Sequence, residues 1–199
     1  MESTLNSPEA TAYREILEST LPAKKVRHCL SVARLMLSFG PGLGLEKAAL
    51  AAAALLHDIA RKESPEQLLA LAHEYGIAVT PVEAARPNLL HGPVAAERCK
   101  RTLGITRPDV YEAIYWHTTA RPGLCRLGQA LYFADFSEPL RDYPEAGHAR
   151  ELLGQKGFEP ALHYVARKKV EFLRGKSVVA PVSEDFLAWL DKGRPPCPG

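Results

Sequence analysis

Hydrophobic residues recur along this 199-residue chain at steps of three and four positions, which is the spacing of one helix face. Val26, Leu30, Ala33 and Leu37 follow this spacing. Alternating β-branched runs and Asn-Gly or Asp-Gly hairpin turns, which are typical of strands, are missing from the sequence. The pattern predicts an all-α fold with helices at roughly 8–20, 23–39, 45–60, 65–75, 91–103, 107–117, 124–137, 147–153, 158–173 and 183–191.

The length is enough for one sizeable core and too short for two comfortable ones. We therefore predict a single helical bundle over residues 13–175, preceded by a flexible N-terminus at 1–12. Residues 176–199 are expected to form an extension with one short helix packed on the domain surface. The extension ends in the sequence KGRPPCPG, which predicts a disordered tail.

Composition narrows the class of protein. The net charge is +2 and no run of five or six like charges occurs, so we expect no nucleic-acid partner. No apolar stretch is long enough to span a membrane, and the polar, acidic N-terminus is unlike a signal peptide. The four cysteines have no regular spacing, which favours reduced thiols, with Cys29 and Cys99 in the core. We expect a cytoplasmic protein without a membrane partner.

The dipeptide His57-Asp58 follows the apolar run AALAAAALL, where ionisable side chains are expected to be buried. Burying such a pair costs several kcal/mol unless the side chains are paired or bind an ion. A single His-Asp pair is more often a buried histidine oriented by a carboxylate than a metal site. The dipeptide alone therefore leaves both interpretations open.

Further donors change the balance in favour of a metal site. Each lies in aliphatic or aromatic sequence, on a different predicted helix: His28, His91, His117 and Asp135. Several helices that each point one nitrogen or oxygen donor inward are the usual way in which helical bundles build metal sites. His73, His148 and His163 lie in more polar surroundings, and we expect no direct role for them.

The donor types indicate which ions would bind. Imidazole and carboxylate without thiolate suit iron, manganese, zinc or cobalt. Six ligands exceed what one structural zinc uses, whereas two ions bridged by Asp58 would use them all. Such a pair, about 3.5–4 Å apart, generates a hydroxide nucleophile and binds the attacked phosphoryl group. The residues therefore predict a two-metal hydrolase.

The order His…His-Asp…His…His…Asp resembles the HD-domain phosphohydrolases. Longer segments are similar to the bacterial YqeK-type family of symmetrical bis(5'-nucleosyl)-tetraphosphatases: AALLHDIARKESPEQLLALA, NLLHGPVAAE, AIYWHTTARPGL and YFADFSEPLRDYP. The resemblance covers about residues 13–175. It implies an enzyme that cleaves diadenosine tetraphosphate into two ADP, by attack of a metal-bound hydroxide on a phosphoanhydride.

The resemblance also implies the ligand sets. His28, His57, Asp58 and Asp135 would surround one metal, and His91, His117 and the bridging Asp58 would hold the other. Iron is the expected metal, with manganese as the second choice. Two positions depart from the family pattern: Arg61 replaces a lysine, and Ala120 replaces a glycine. The alanine would tighten the loop after His117 if that position needs a positive φ angle.

A phosphate-rich substrate needs cations besides the metals. We expect catalytic roles for Asp58, Arg61 and Arg121, and substrate contacts from Lys62, Arg121 and Arg141. Lys62 could equally be a solvated charge at a helix end. Glu138 would either orient Arg141 or cap the following turn. Tyr115, Trp116 and Tyr132 are weak candidates for contacting adenine, with core packing as the alternative.

Two other functions stay open at this level. Another HD-domain nucleotide phosphatase or phosphodiesterase would use the same ligands, so only product analysis separates it from a tetraphosphatase. A non-catalytic nucleotide-binding regulatory module would bind no metal and show no turnover. The substrate is expected to be a dinucleoside polyphosphate or a related nucleotide, and a homodimer is left open.

Overall fold

The computed structural model describes residues 2–175 and 179–194, and it contains no strand within these ranges. Its helices lie at the following positions: α1 Glu2–Leu5, α2 Pro8–Thr20, α3 Ala23–Phe39, α4 Lys47–Leu56, α5 Pro65–Tyr75, α6 Pro81–Ala85, α7 His91–Leu103, α8 Pro108–Trp116, α9 Arg126–Ser137, α10 Pro144–Lys156, α11 Phe158–Gly175 and α12 Pro181–Asp191. Short 3-10 helices cover Gly40–Leu43 and Pro87–Leu90. The predicted all-α class is confirmed.

Helix α4 lies at the centre of the bundle. Every residue from Ala49 to Leu56 is buried, and the helix contacts α1, α2, α3, α8 and α9. Its run of alanines explains this position, because a small side chain lets neighbouring helices approach closely on all sides. The C-terminal end of α4 therefore opens into the middle of the protein, and His57 and Asp58 follow it directly.

The predicted helix over 45–60 is wrong at its C-terminal end, because α4 stops at Leu56 and residues 57–62 form turns. His57 is the C-cap of α4, and its Nδ1 donates a hydrogen bond to the carbonyl of Ala54 at 2.8 Å. The last carbonyls of a helix lack an intrahelical partner, so a side-chain donor there satisfies one of them.

Both termini differ from the sequence predictions, which were a flexible N-terminus and a short C-terminal helix packed on the domain surface. Residues 2–20 form α1 and α2, whose Leu5 and Ala10 are buried. At the other end, Phe186 of α12 is fully buried and packs edge-on against Tyr132 of α9 at 5.4 Å. The extension is therefore part of the core where it is described. The predicted disordered tail lies mostly outside the described residues.

Three further features bear on the sequence predictions. Cys29 and Cys99 are buried, as expected. The described helices include none that is both long and apolar enough to cross a membrane. Ser64 caps α5 through a reciprocal capping box with Gln67, which matches the predicted start of that helix.

Candidate metal centre

The six predicted metal ligands converge from five parts of the bundle. His28 lies in the middle of α3 and Asp135 in α9, while His57, His91 and His117 lie at helix ends. All except Asp135 are buried, and the carboxylate side chain of Asp135 is 19% exposed on a cleft. The structure thus brings all six predicted donors together.

Three of the histidines are oriented by the backbone in the same way. Each is the C-cap residue of a helix: His57 follows α4, His91 follows the 3-10 helix Pro87–Leu90, and His117 follows α8. Their Nδ1 atoms donate to carbonyls three residues earlier, at 2.8, 2.5 and 2.7 Å. A carbonyl only accepts hydrogen bonds, so the proton of each ring is on Nδ1 and the lone pair of Nε2 faces the cluster.

His28 is oriented by a side chain instead. Its Nδ1 lies 3.0 Å from Oε1 of Glu138, which is buried, while Oε2 accepts a 2.6 Å hydrogen bond from the backbone of Leu140. Glu138 is also 3.7 Å from Nε of Arg141. Its main contact is therefore with His28, a role that sequence reasoning missed, in addition to the capping role that was considered.

Asp58 divides the cluster into two halves. Its Oδ1 lies 3.3 Å from Nε2 of His91 and 3.7 Å from Nε2 of His117. Its Oδ2 lies 4.0 Å from Nε2 of His28 and 3.9 Å from Nε2 of His57. We call these the His91/His117 half and the His28/His57 half. Each carboxylate oxygen therefore faces a different set of imidazoles, as a bridging ligand requires.

Asp135 completes the His28/His57 half. Its Oδ1 lies 3.1 Å from Nε2 of His28 and 3.9 Å from Nε2 of His57. Ligand atoms bound at about 2.1 Å to one ion stand roughly 3 to 4 Å apart. The spacings in both halves fall in this range, so the donors are spaced for shared ions.

Hydrogen bonding gives an independent test of this fit. Nε2 of His28 and of His57 are buried and have no hydrogen-bond partner among the described residues; with the ring proton on Nδ1, Nε2 of His28 presents a lone pair to Oδ1 of Asp135, which is also an acceptor. Nε2 of His91 and of His117 face each other at 2.9 Å, although both rings carry their proton on Nδ1. Two facing lone pairs repel unless a cation shares them, and buried nitrogens normally have partners. The donor set fits divalent metals.

The protonation states of His57, His91 and Asp58 agree with this role, whereas at His28 a metal would have to compete with a proton. Burial lowers the pKa of His57 to about 3 and also lowers that of His91, which keeps both rings neutral. Burial opposes ionisation of Asp58, but the surrounding imidazoles hold its pKa well below the usual range. Burial would lower the pKa of His28, yet the carboxylates of Asp135 and Glu138 outweigh it and raise that pKa.

Two cations border the cluster. Nζ of Lys25, one turn before His28 in α3, lies 3.2 Å from Oδ2 of Asp58. Arg141 donates from Nη2 to Oδ1 of Asp135 at 2.9 Å and from Nε to its backbone carbonyl at 3.1 Å. Lys25 was missed at the sequence level. Its position one helical turn before a predicted ligand is a signal that could have identified it.

A cleft of about 830 Å³ opens beside Asp135. Arg61 and Arg141 line it, and Nη1 of Arg61 lies 3.5 Å from Nδ1 of His91. Lys62 is exposed and is not among the lining residues. Arg121 is also outside the lining, since it pairs with Glu112 and donates to the carbonyl of Pro122 at 3.1 Å.

None of the three aromatic candidates for base contact is among the described residues that line this cleft. Tyr132 is buried against Phe186, and neither Tyr115 nor Trp116 is among the described residues that line the cleft. Tyr115 and Trp116 instead contact each other at 4.9 Å between ring centroids. Tyr132 therefore packs in the core, which was the alternative to base contact considered for these residues.

Two small residues govern how α7 and α8 meet at the His91/His117 half. A Cβ on Gly92 would lie 2.7 Å from the carbonyl oxygen of Tyr115, so only glycine allows this approach. Ala120, in the loop after His117, is buried and has a φ angle of 57°. The loop therefore needs the positive φ considered at the sequence level, and the alanine adopts it.

The remaining histidines lie outside the cluster. His73 and His148 are exposed, and His163 lies 2.6 Å from Asp191. Five buried donors form two groups that could each hold a divalent metal, His28/His57/Asp58 and Asp58/His91/His117, with Asp135 beside the first, and this arrangement is typical of the HD class of hydrolases. The family model described as the HD domain matches residues 26–151, so the chain belongs to the HD domain family, and it is a hydrolase of that family.

Relatives extend this similarity over nearly the whole chain. A protein of Bacillus subtilis (strain 168) named symmetrical bis(5'-nucleosyl)-tetraphosphatase is 28% identical over 192 residues, 95% of this chain and 100% of that one. A protein of the same name from Staphylococcus aureus is 24% identical over 83% of this chain and 85% of its own. The family recognised from the sequence is therefore confirmed.

A solved structure shows the same fold. A predicted HD superfamily hydrolase involved in NAD metabolism from Clostridium acetobutylicum superimposes with a TM-score of 0.87. The match covers 92% of this chain and 97% of that one, at 23% sequence identity.

Proposed function

We propose that this chain cleaves dinucleoside tetraphosphates symmetrically, yielding two ADP from diadenosine tetraphosphate. The observation that carries the proposal is the division of Asp58 between two sets of imidazoles, beside a cleft lined by cations. The names of the relatives at 28% and 24% identity support the choice of substrate.

The six donors would hold two divalent metals, with iron as the first choice and manganese as the second. Such a pair supplies activation of water and neutralises charge on the attacked phosphoryl group. His28, His57, Asp58 and Asp135 would hold one ion, and Asp58, His91 and His117 the other. The Nδ1 hydrogen bonds keep each imidazole in the tautomer that ligation requires.

The side chains of the cleft bind and orient the substrate. Arg61 and Arg141 line the cleft on the side of the metal centre, where their guanidinium groups would bind non-bridging phosphate oxygens. Thr118 lies 3.3 and 3.2 Å from Nε2 of His91 and His117, so its hydroxyl is placed to donate to an oxygen at the centre. Arg121 and Lys62 do not line the cleft, so they would act on the substrate only as more distant positive charges. The cytoplasmic location and the absence of a nucleic-acid partner remain predictions, and a homodimer stays open.

Product analysis tests this proposal. Protein purified anaerobically and loaded with Fe²⁺ or Mn²⁺ is incubated with diadenosine tetraphosphate, and the nucleotides are separated by chromatography. We expect ADP alone. AMP together with ATP would contradict symmetrical cleavage, and a metal-free protein without turnover would favour a regulatory module.

A further inference from the structure

One wall of the cleft is formed by α11, which the sequence analysis did not connect with function. Five residues of this helix line the same cleft as the metal-centre residue Asp135: Lys168, Lys169, Glu171, Phe172 and Leu173. Lys169 and Phe172 are three positions apart, so they lie on one face of the helix. Both residues are far in sequence from the predicted ligands, and only the fold brings them to the cleft.

Lys169 is an unusual cation for a helix surface. Its side chain is half-buried, and Nζ lies 3.8 Å from the ring centroid of Tyr132. The carboxylate charge that acts on it is that of Asp135, one of the predicted metal ligands. The neighbouring Lys168, in contrast, pairs with Glu171 at 2.8 Å. A partly buried ammonium is costly to desolvate, and this one lines the cleft beside the metal centre, which favours a role in binding an anion there.

Phe172 is exposed to an unusual degree for a large apolar side chain. It is 62% exposed, although most aromatic residues of this protein pack into the core. Exposed aromatic rings next to a cationic side chain are a common arrangement for stacking a nucleobase while a charge binds the phosphate. The cleft volume of about 830 Å³ is within the usual range for small-molecule sites.

We infer that this face of α11 is a subsite for one nucleoside phosphate half of the substrate, in which Lys169 binds a phosphate group and Phe172 stacks on the base. This inference rests on the proposed function, since it takes the substrate to be a nucleotide. Burial lowers the pKa of Lys169 to about 8, against the opposing charge of Asp135, so the side chain is still mostly an ammonium at neutral pH.

Calorimetric titration of the metal-loaded protein with two probes, ADP and inorganic pyrophosphate, tests the subsite without turnover. Lys169→Gln is expected to weaken the binding of both probes about tenfold, and Lys169→Arg to restore most of it. Phe172→Ala is expected to weaken ADP about fivefold or more and to leave pyrophosphate within about twofold. Arg167→Gln, at an exposed position of the same helix outside the cleft lining, is the matched control and should change neither affinity by more than about twofold.

Three results would overturn the inference: equal effects of Lys169→Gln and Arg167→Gln, equal effects of Phe172→Ala on both probes, or a wild-type protein that binds neither probe. These results are separable from the failure of the proposed function. If diadenosine tetraphosphate yields AMP and ATP while the two probes behave as expected, symmetrical cleavage is wrong and the subsite stands.

Discussion

The two halves of the metal centre are held in place by different parts of the chain. In the His91/His117 half, both imidazoles are fixed by backbone carbonyls at helix ends. In the His28/His57 half, only His57 is fixed in this way, whereas His28 depends on Glu138 and Asp135 depends on Arg141.

This difference predicts how each half responds to substitution. A backbone carbonyl cannot be removed by changing a side chain, so the His91/His117 half should fail only when a ligand or the helix packing changes. The His28/His57 half relies on two charged side chains, which single substitutions remove. Asp58 belongs to both halves and should have the largest effect.

Asp58→Ala tests the connection between the halves. We expect both metals to be lost and activity to fall about a thousandfold or more, because each half loses a ligand atom. Metal content by mass spectrometry and turnover of diadenosine tetraphosphate measure the effect. A variant that keeps one tightly bound metal per chain would show that the halves bind independently of Asp58.

Glu138→Ala tests the half that depends on side chains. Without its acceptor, His28 loses its orientation, and we expect metal affinity to fall roughly 10- to 100-fold in that half alone. Titration of metal into the chelated protein measures the two halves as separate binding steps. Glu112→Gln, which removes the charge that pairs with Arg121 outside the cleft, is the control and should leave both steps unchanged. An equal loss in both steps would contradict the comparison.

Arg141→Gln and Arg121→Gln compare a guanidinium in the cleft with one outside it. Arg141 contacts Asp135 and lines the cleft, so its loss is expected to raise KM about tenfold and to lower kcat as well. Arg121 is held by Glu112, and its loss is expected to change kcat/KM by less than about threefold. Steady-state measurements of kcat and KM distinguish the two variants. A larger effect of Arg121→Gln than of Arg141→Gln would make Arg121 the main substrate contact.

The pH dependence sharpens the contrast between His57 and His28. The pKa of His57 is about 3 in the folded chain, against an ordinary 6.5, so the unfolded chain binds more protons between these values. The stability contributed by His57 is therefore present above pH 6.5 and is lost as the pH falls. After chelation, we expect about 1 kcal/mol less stability at pH 5.5 than at pH 7.

The raised pKa of His28 has the opposite sign, because its contribution is present below pH 6.5 and is lost as the pH rises. Comparison with chelated His57→Gln isolates the His57 contribution. Thermal unfolding from pH 5 to 7 should show a flatter, or reversed, dependence in the variant. An unchanged dependence would mean that another group controls acid stability.

Ala120→Gly is expected to have the smallest effect. The φ angle of 57° costs the alanine roughly 1 kcal/mol, and glycine would relieve it. Loss of the buried methyl group and greater freedom of the unfolded chain offset that gain by a similar amount. We expect the free energy of unfolding to change by less than about 0.5 kcal/mol. A loss of several kcal/mol in urea denaturation would show that the methyl group supports the loop after His117.

The ligands were predictable because each is an ionisable residue in apolar sequence. Such residues are costly to bury, and His57-Asp58 after nine apolar residues is a strong case. The helix pattern likewise predicted most elements, including α5 and α7. The end of α4 was not predictable, because a side-chain bond from His57 to Ala54 satisfies a carbonyl that the hydrophobic pattern does not report.

The supporting contacts were less accessible to sequence reasoning. Glu138 and His28 are 110 positions apart, and only the packing of α3 against α9 brings them together. Arg121 follows a predicted ligand closely in sequence, yet its loop directs it to Glu112. Lys169 and Phe172 reach the cleft through the packing of α11 on α9. Proximity in sequence was a poor guide to which cations face the site.

The bridging position of Asp58 is tested most directly by a crystal structure of the metal-loaded protein, with anomalous scattering collected at the absorption edge of the metal. Two peaks are predicted, one beside Oδ1 among His91 and His117, and one beside Oδ2 among His28, His57 and Asp135. A single peak, or peaks away from Asp58, would contradict a two-metal centre.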